Sequence, residues 1–369
     1  MSRNIPLYQK IYNHFRDQIL SGALQEGACL PTEADLMEQF GVSRTTVKGA
    51  LNALKADGYL LRRRGSGSYV APRPQQKVLA VSRRQIGLVL PTEQRSSHFF
   101  QLIEEATDVL TQQSYQLVLY PYRHHPTTER EAILKARADG CVGLIYYPVS
   151  SLTMDILCHL VSEHFPVVIL DKKIDHIPLS CIISDNVGGT EKLMQHLIEK
   201  SYRRFAFLTF NETSSDSSTT QRYLGCCRAI HAAGLPDDAL VFRFIYSLQE
   251  TVCAEDDSSS VTLQRLKPLL LELHEQKIQV VCALSDSLAI LVCQALHQLG
   301  IAIPRQMAVA GFDDSDYARF STPALTTVRQ NFREQGRLAA QTLLSQIASP
   351  PKNPVLRTIP TQIIERETT

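Results

Sequence analysis

Apolar residues along the chain are spaced in two different ways, and the spacing changes near residue 85. Before that point they recur at helical intervals in short stretches. Ile11, Phe15 and Ile19 repeat at i, i+4 and i+8, flanked by Tyr8 and Tyr12, which predicts one helix ending near Ser21-Gly22. After a Gly27/Pro31 turn, Thr32 stands three residues ahead of Asp35. This is a capping box with Asp in place of Glu or Gln, and it opens a second helix that runs to Phe40 and stops at Gly41. Ser43 is placed to cap a third helix, with Val47, Ala50, Leu51 and Leu54 on its buried stripe and Arg44, Thr45, Lys48 and Asn52 on the opposite face. Two strand-like runs around Gly65-Ser66-Gly67 predict a small β-wing.

From residue 86 onward, continuous apolar runs alternate with helical patterns. Strands are expected at 86–90, 117–120, 142–147, 167–170, 205–210, 242–246, 279–284 and 308–312, with a helix over 99–110 among those between them. Apolar strands without in/out alternation, separated by helices, indicate a parallel sheet covered on both faces. Nearly three hundred such residues exceed one compact core, so two lobes are expected. The predicted fold is therefore a winged helix-turn-helix over 1–71, a linker over 72–85, and a two-lobed α/β domain with parallel sheets over 86–369. The linker holds two prolines and several basic residues. The Ser/Thr-rich stretches at 213–220 and 258–260 read as loops.

Charge sharpens this division. The whole chain carries a formal +1, but residues 1–85 hold 13 Lys and Arg against 6 Asp and Glu, and the remainder is acidic. A basic front joined to an acidic body points to a polyanion at the front. The nine cysteines are scattered without a C-x-x-C pair, which reads as core thiols in a reducing compartment. Neither a signal peptide nor an apolar run of about 18 residues is evident, so a soluble cytoplasmic protein with no membrane partner is expected.

The chemistry follows the same split. A helix capped by Ser43 presents Arg44, Thr45, Thr46 and Lys48 near its N-terminus, where the helix dipole, free N–H groups and cations suit a phosphate or a base edge. Arg44 is the side chain able to bond bidentately to guanine, and the threonines and Lys48 suit phosphate or thymine methyl. In the body, polar residues accumulate at the ends of predicted strands: Asp171, Asp185, Arg222, Asp286 and Asp313, with Tyr146, Tyr147 and Tyr317 nearby. Carboxylates accept from vicinal hydroxyls, a guanidinium donates to ring oxygens, and aromatic faces stack on sugar C–H groups. Any one of these Asp residues also suits a helix cap, Asp185 before Gly188-Gly189 most of all.

Taken as strings, these segments carry resemblances. Leu30-Pro31-Thr32-Glu33, Phe40-Gly41-Val42-Ser43-Arg44-Thr45-Thr46-Val47, Gly58-Tyr59-Leu60 and Gly65-Ser66-Gly67-Ser68-Tyr69-Val70 resemble the winged helix-turn-helix of GntR-family bacterial regulators. The resemblance implies Arg44 and Lys48 as DNA-reading cations, Thr45 and Thr46 on phosphates, and Arg64, Gly65 and Gly67 at the wing. Ala34 stands where many relatives have a basic residue. Arg222-Tyr223-Leu224-Gly225, Ala308-Val309-Ala310-Gly311-Phe312-Asp313-Asp314 and Pro323-Ala324-Leu325-Thr326-Thr327-Val328-Arg329-Gln330 resemble the effector domain of LacI/GalR-type regulators. That implies Asp171, Arg222, Asp286, Asp313 and Tyr147 around a small sugar, an arabinose-like pentose being favoured, with Ser285 in place of a common Asn. The combined resemblance implies a homodimeric repressor on double-stranded operator DNA, without a cofactor or metal. A nucleoside effector and an activator remain the alternatives.

Two other classes fare worse. An enzyme would need a catalytic motif, and the chain has no G-x-S-x-G, Walker or H-E-x-x-H string; His124-His125 lacks further ligands at metal spacing. A transport-associated binding protein would need export.

Overall fold

The computed structural model describes residues 7–20, 23–56, 59–63, 67–71, 84–91, 97–123, 126–149, 153–174, 176–211, 217–246, 259–349 and 353–369. The chain divides into two compact units, Met1–Arg83 and Arg84–Thr369.

The first unit comprises α1 (Leu7–Leu20), α2 (Glu33–Phe40), α3 (Arg44–Ala56) and an antiparallel hairpin of β1 (Leu60–Arg63) and β2 (Gly67–Val70). Its core holds Ile11, Phe15, Val47, Ala50, Leu51 and Leu54, as expected from the spacing, together with Leu36 of α2, and is closed by Leu60 and Val70 from the hairpin. The capping box forms reciprocally. The Thr32 hydroxyl accepts from Asp35 N–H at 3.3 Å, and the Asp35 carboxylate accepts from Thr32 N–H at 2.9 Å. Gly41 ends α2 in the left-handed region, φ 61°, where a side chain would be strained.

The second unit holds two six-stranded sheets. The first-lobe sheet contains β3 (Arg84–Pro91), β4 (Tyr115–Tyr122), β5 (Gly143–Tyr146), β6 (Val167–Leu170), β7 (Ser180–Ser184) and β13 (Leu356–Ile359). Its order is β13-β7-β6-β5-β3-β4, all parallel. The second-lobe sheet contains β8 (Phe205–Asn211), β9 (Leu240–Tyr246), β10 (Val280–Ala283), β11 (Ala308–Asp313), β12 (Thr326–Arg329) and β14 (Gln362–Ile364). Its order is β14-β12-β11-β10-β8-β9, and β14 alone runs antiparallel within it.

Each sheet is covered on both faces, as the unbroken apolar strands required. In the first lobe, α5 (Pro126–Ala138) and α6 (Met154–Ser162) cover one face, and α4 (Ser97–Gln112) and α12 (Phe332–Ala348) the other. In the second, α7 (Asn186–Glu199) and α8 (Ser217–Ala232) lie opposite α9 (Ser259–Glu275), α10 (Asp286–Leu299) and the short α11 (Asp316–Phe320). The chain crosses between lobes three times, after β7, after β12 and after β13.

Several expectations are corrected. Ser217–Ala232 and Ser259–Glu275 are helical, so the Ser/Thr-rich loops do not extend through 217–220 or 259–260. β3 begins at Arg84, two residues inside the expected linker, because Arg84 and Gln85 pair with Tyr115 and Gln116. Strands β7, β12, β13 and β14 were not among those predicted; β13 and β14 are short and sit at sheet edges, β13 exposes three of its four side chains, and the three residues of β14 are too few to show a pattern. Among the described cysteines, Cys29 and Cys158 are exposed and Cys227 is half-buried, so those three are not core thiols. His124, His125 and Cys253 lie outside the described residues.

Candidate functional site

In the first unit, α3 carries the residues singled out for nucleic-acid contact. Ser43 caps it through the Thr46 N–H at 3.4 Å, and the Ser43 and Thr46 hydroxyls share a hydrogen bond at 2.9 Å. Thr46 is thus half-buried and occupied at the cap, whereas Arg44, Thr45 and Lys48 are exposed. The Arg44 side chain is 77% exposed, and among the described residues its one ion pair is with Glu33, Nε to Oε2 at 3.1 Å. Gly67 opens β2 with φ 108°, and a Cβ there would rest against Cys29 Sγ. Arg64 and Gly65 lie outside the described residues.

In the second unit, strand order fixes where a cleft can form. Both sheets reverse direction of growth beside their central strands, β3/β5 and β8/β10, and ligands of open α/β sheets sit beyond the C-terminal ends of strands at such points. Tyr147 follows β5, Asp171 follows β6, and Asp313 ends β11; Arg222 comes from the second turn of α8. These four converge. The Tyr147 phenol lies beside the Asp171 carboxylate, and burial, followed by the charges of Asp171 and Asp313, pushes it well above its ordinary value.

Arg222 is nearly buried, its side chain 7% exposed, and its orientation is fixed on three sides. Nε donates to Asn186 Oδ1 at 2.9 Å, one terminal nitrogen donates to the Leu284 carbonyl at 2.6 Å, and the guanidinium lies over the Phe312 ring at 3.8 Å. The same terminal nitrogen stands 4.0 Å from Asp313 Oδ1. Asp313 has φ 125° and keeps 26% of its side chain exposed. Withdrawal from water raises its pKa, opposed by Arg222 and by the Gln330 amide.

Asp286 is placed differently from the expectation. It is fully buried at the start of α10, with Oδ2 accepting from Ser315 N–H at 2.6 Å and Oδ1 accepting from the Thr327 hydroxyl at 2.5 Å. One oxygen holds the loop after β11 and the other holds strand β12, so the carboxylate is spent on bracing the two, and burial together with Asp313 pushes its carboxyl up to about 8. Tyr146 also points away, because alternate residues of β5 face opposite sides: its hydroxyl donates to the buried Glu129 at 2.6 Å behind the sheet. Tyr317 is exposed on α11, and Asp185 is a helix cap, accepting from Gly188 N–H at 2.9 Å.

The geometry adds residues that composition did not single out. His98, in the first turn of α4, stacks on Phe332 at 4.8 Å and donates Nε2–H across the lobes to the Asp314 carbonyl at 2.7 Å. Lys173 N–H donates across the lobes to Ser217 Oγ at 2.9 Å. Gln330, quoted in the motif but given no role, donates to Asp313 Oδ1 at 2.7 Å. Among the described residues no cluster of three or more metal-ligating side chains occurs, and no helix is long and apolar enough to cross a membrane.

Comparison with known proteins places these two units. Residues 7–70 match the gntR family of bacterial regulatory proteins, and residues 194–369 match a periplasmic binding protein-like domain. The arabinose metabolism transcriptional repressor of Geobacillus stearothermophilus is 28% identical over 351 residues, covering 94% of this chain and 92% of that protein. Its counterpart in Halalkalibacterium halodurans is 26% identical over 349 residues, covering 91% and 89%. Among solved structures, the transcriptional regulator CelR in complex with cellobiose superposes with a TM-score of 0.64 at 21% identity, covering 92% of this chain and all of that one.

Proposed function

A chain that carries a gntR-family bacterial regulatory domain ahead of a periplasmic binding protein-like domain is a transcriptional regulator, and we propose that this one is a repressor released from operator DNA by a small neutral sugar. The observation that carries the sugar half is the convergence of Tyr147 and Asp171 from one lobe with Arg222 and Asp313 from the other. Two carboxylates face one guanidinium that is already engaged by Asn186 and Leu284. Acceptors therefore exceed free donors, which favours a ligand rich in hydroxyl donors and without negative charge. The arabinose repressors among the relatives make L-arabinose the first sugar to test.

The DNA half is assigned to Arg44, Thr45 and Lys48 on the exposed face of α3, Thr46 at the cap, and the wing with Arg64, Gly65 and Gly67. A homodimer places two such helices on a palindromic site in the cytoplasm, and sugar closing the lobes alters the spacing of the readers. No catalytic role is assigned to the cleft: it binds and reports.

A thermal-shift panel of L-arabinose, other pentoses, hexoses and nucleosides tests the effector, since a ligand of the native state raises Tm by mass action. A pentose is expected to give the largest rise. A nucleoside raising Tm while every sugar leaves it unchanged would replace the sugar. Footprinting upstream DNA with and without that ligand tests release.

A further inference from the structure

The three crossings between the lobes, at 184–186, 330–331 and 360–361, are wired together. Backbone ties the first to the third: Asp185 N–H donates to the Ile359 carbonyl at 2.8 Å, and the Thr361 hydroxyl donates to the Asp185 carbonyl at 3.3 Å. Side chains tie the first to the second, and they meet at Gln330. Its Oε1 accepts from the Ser184 hydroxyl at 2.5 Å and from Gln335 Nε2 at 3.2 Å, while Gln335 Nε2 also donates to Ser184 Oγ at 2.9 Å. The other end of the same amide, Nε2, donates to Asp313 Oδ1 at 2.7 Å. One planar group thus joins a cleft carboxylate to the segments on which the lobes turn.

Beside it stands a buried acceptor with nothing to accept. Gln335 is fully buried, and its Oε1 has no hydrogen-bond partner among the described residues. An orphaned amide oxygen in the interior is costly and calls for a reason. Since Gln335 Nε2 already touches the Gln330 amide, its Oε1 lies within the span of a rotated Gln330 side chain. Gln330 Nε2 therefore has two acceptors at hand: Asp313 Oδ1, used here, and Gln335 Oε1, empty here. Which one it takes depends on whether Asp313 is free, because a ligand hydroxyl donating to Asp313 Oδ1 competes for the same lone pairs.

We propose that Gln330 is the positioning residue that carries effector occupancy to the hinge, its amide leaving Asp313 Oδ1 for Gln335 Oε1 when a ligand hydroxyl takes Asp313. This rests on the assignment of Asp313 as an effector contact. Rotation of a planar amide moves Oε1 together with Nε2, so the Ser184 bond breaks as the new one forms. The first crossing is then released from the second, and its backbone bonds to Ile359 and Thr361 pass the change to the third.

Hydrogen exchange on the full-length chain without sugar tests this through a double-mutant cycle of Asp313→Ala and Gln330→Ala, with Gln330→Met, closer in volume, standing in if the alanine variant melts early. Asp313→Ala removes the first acceptor as an occupying hydroxyl would, so exchange at 184–186 is expected to rise roughly fivefold or more. In the Gln330 background the same substitution should add nothing there. An equal rise in both backgrounds, or none in either, overturns the proposal. A second arm adds L-arabinose to the wild-type chain. Protection at 171–174 and 311–315 with 184–186 unchanged overturns the coupling and leaves the sugar assignment standing. Absence of protection in those cleft segments rejects arabinose, and the sugar-free cycle still decides the role of Gln330.

Discussion

Arg222 shows how one side chain is fitted for a task by its neighbours. A nearly buried guanidinium is expensive unless its donors are met, and here Asn186, the Leu284 carbonyl and the Phe312 ring each meet part of it. Arg222→Ala should leave operator binding in place and abolish the response to sugar, and Asp313→Ala should abolish the response from a weakened starting affinity, both measured by anisotropy of labelled operator over a sugar titration. A normal response in both variants would remove them from the pocket. On the other unit, Arg44→Ala should weaken specific operator affinity about 5- to 150-fold, as loss of a bidentate base contact typically costs about 1–3 kcal/mol, without changing sugar affinity measured calorimetrically. Candidate residue types were legible in the sequence for Asp171 and Asp313 at strand ends and for Arg222, which the structure places in the second turn of α8. Asp286 was not, because only packing shows that both its oxygens are spent on Ser315 and Thr327.

Among the elements, local signals and long-range contacts divide the work. Thr32, Asp35 and Gly41 set the limits of α2 from within a few residues of each other, and Thr32→Ala should cost the first unit about 1 kcal/mol, read as a lower melting midpoint of a chain comprising residues 1–71 or of the corresponding transition in the full protein. The contact between α4 and α12 obeys no local rule. Gly336 of α12 lies so close to the Leu102 carbonyl of α4 that a Cβ would collide with it. Gly336→Ala should therefore force these helices apart at a cost of about 1–3 kcal/mol, visible as a lower Tm of the second unit. These two helices are more than two hundred residues apart in sequence, which is why the spacing that predicted α4 could not show its meeting with α12.

For the whole molecule, linkage requires that operator DNA weaken sugar binding by the factor with which sugar weakens DNA binding, typically about 5- to 150-fold. Calorimetric titration of sugar with and without operator measures it, and unequal factors would exclude a single coupled equilibrium. Acidity acts at this scale too. Asp286, pushed up to about 8, favours the native state while protonated. Its folded value lies above the ordinary carboxylate range, so its contribution to stability is complete below about pH 4 and is lost as pH rises through about 8. Tm should fall between pH 5 and pH 8, and Asp286→Asn, which copies the protonated acid and can donate to Thr327, should flatten that fall. An unchanged slope would mean that Asp286 is ionised throughout.

Periodicity, caps and charge distribution were enough to divide the chain into a basic helical front and a two-lobed α/β body, because each depends on residues a few positions apart and on the number of apolar side chains to be covered. Folding was needed to bring Tyr147 and Asp171 against Arg222 and Asp313, to turn Tyr146 behind its sheet, and to set Gln330 between Asp313 and Ser184. Such meetings join residues separated by tens to hundreds of positions, and the three crossings between the lobes, not any local preference, fix their distances.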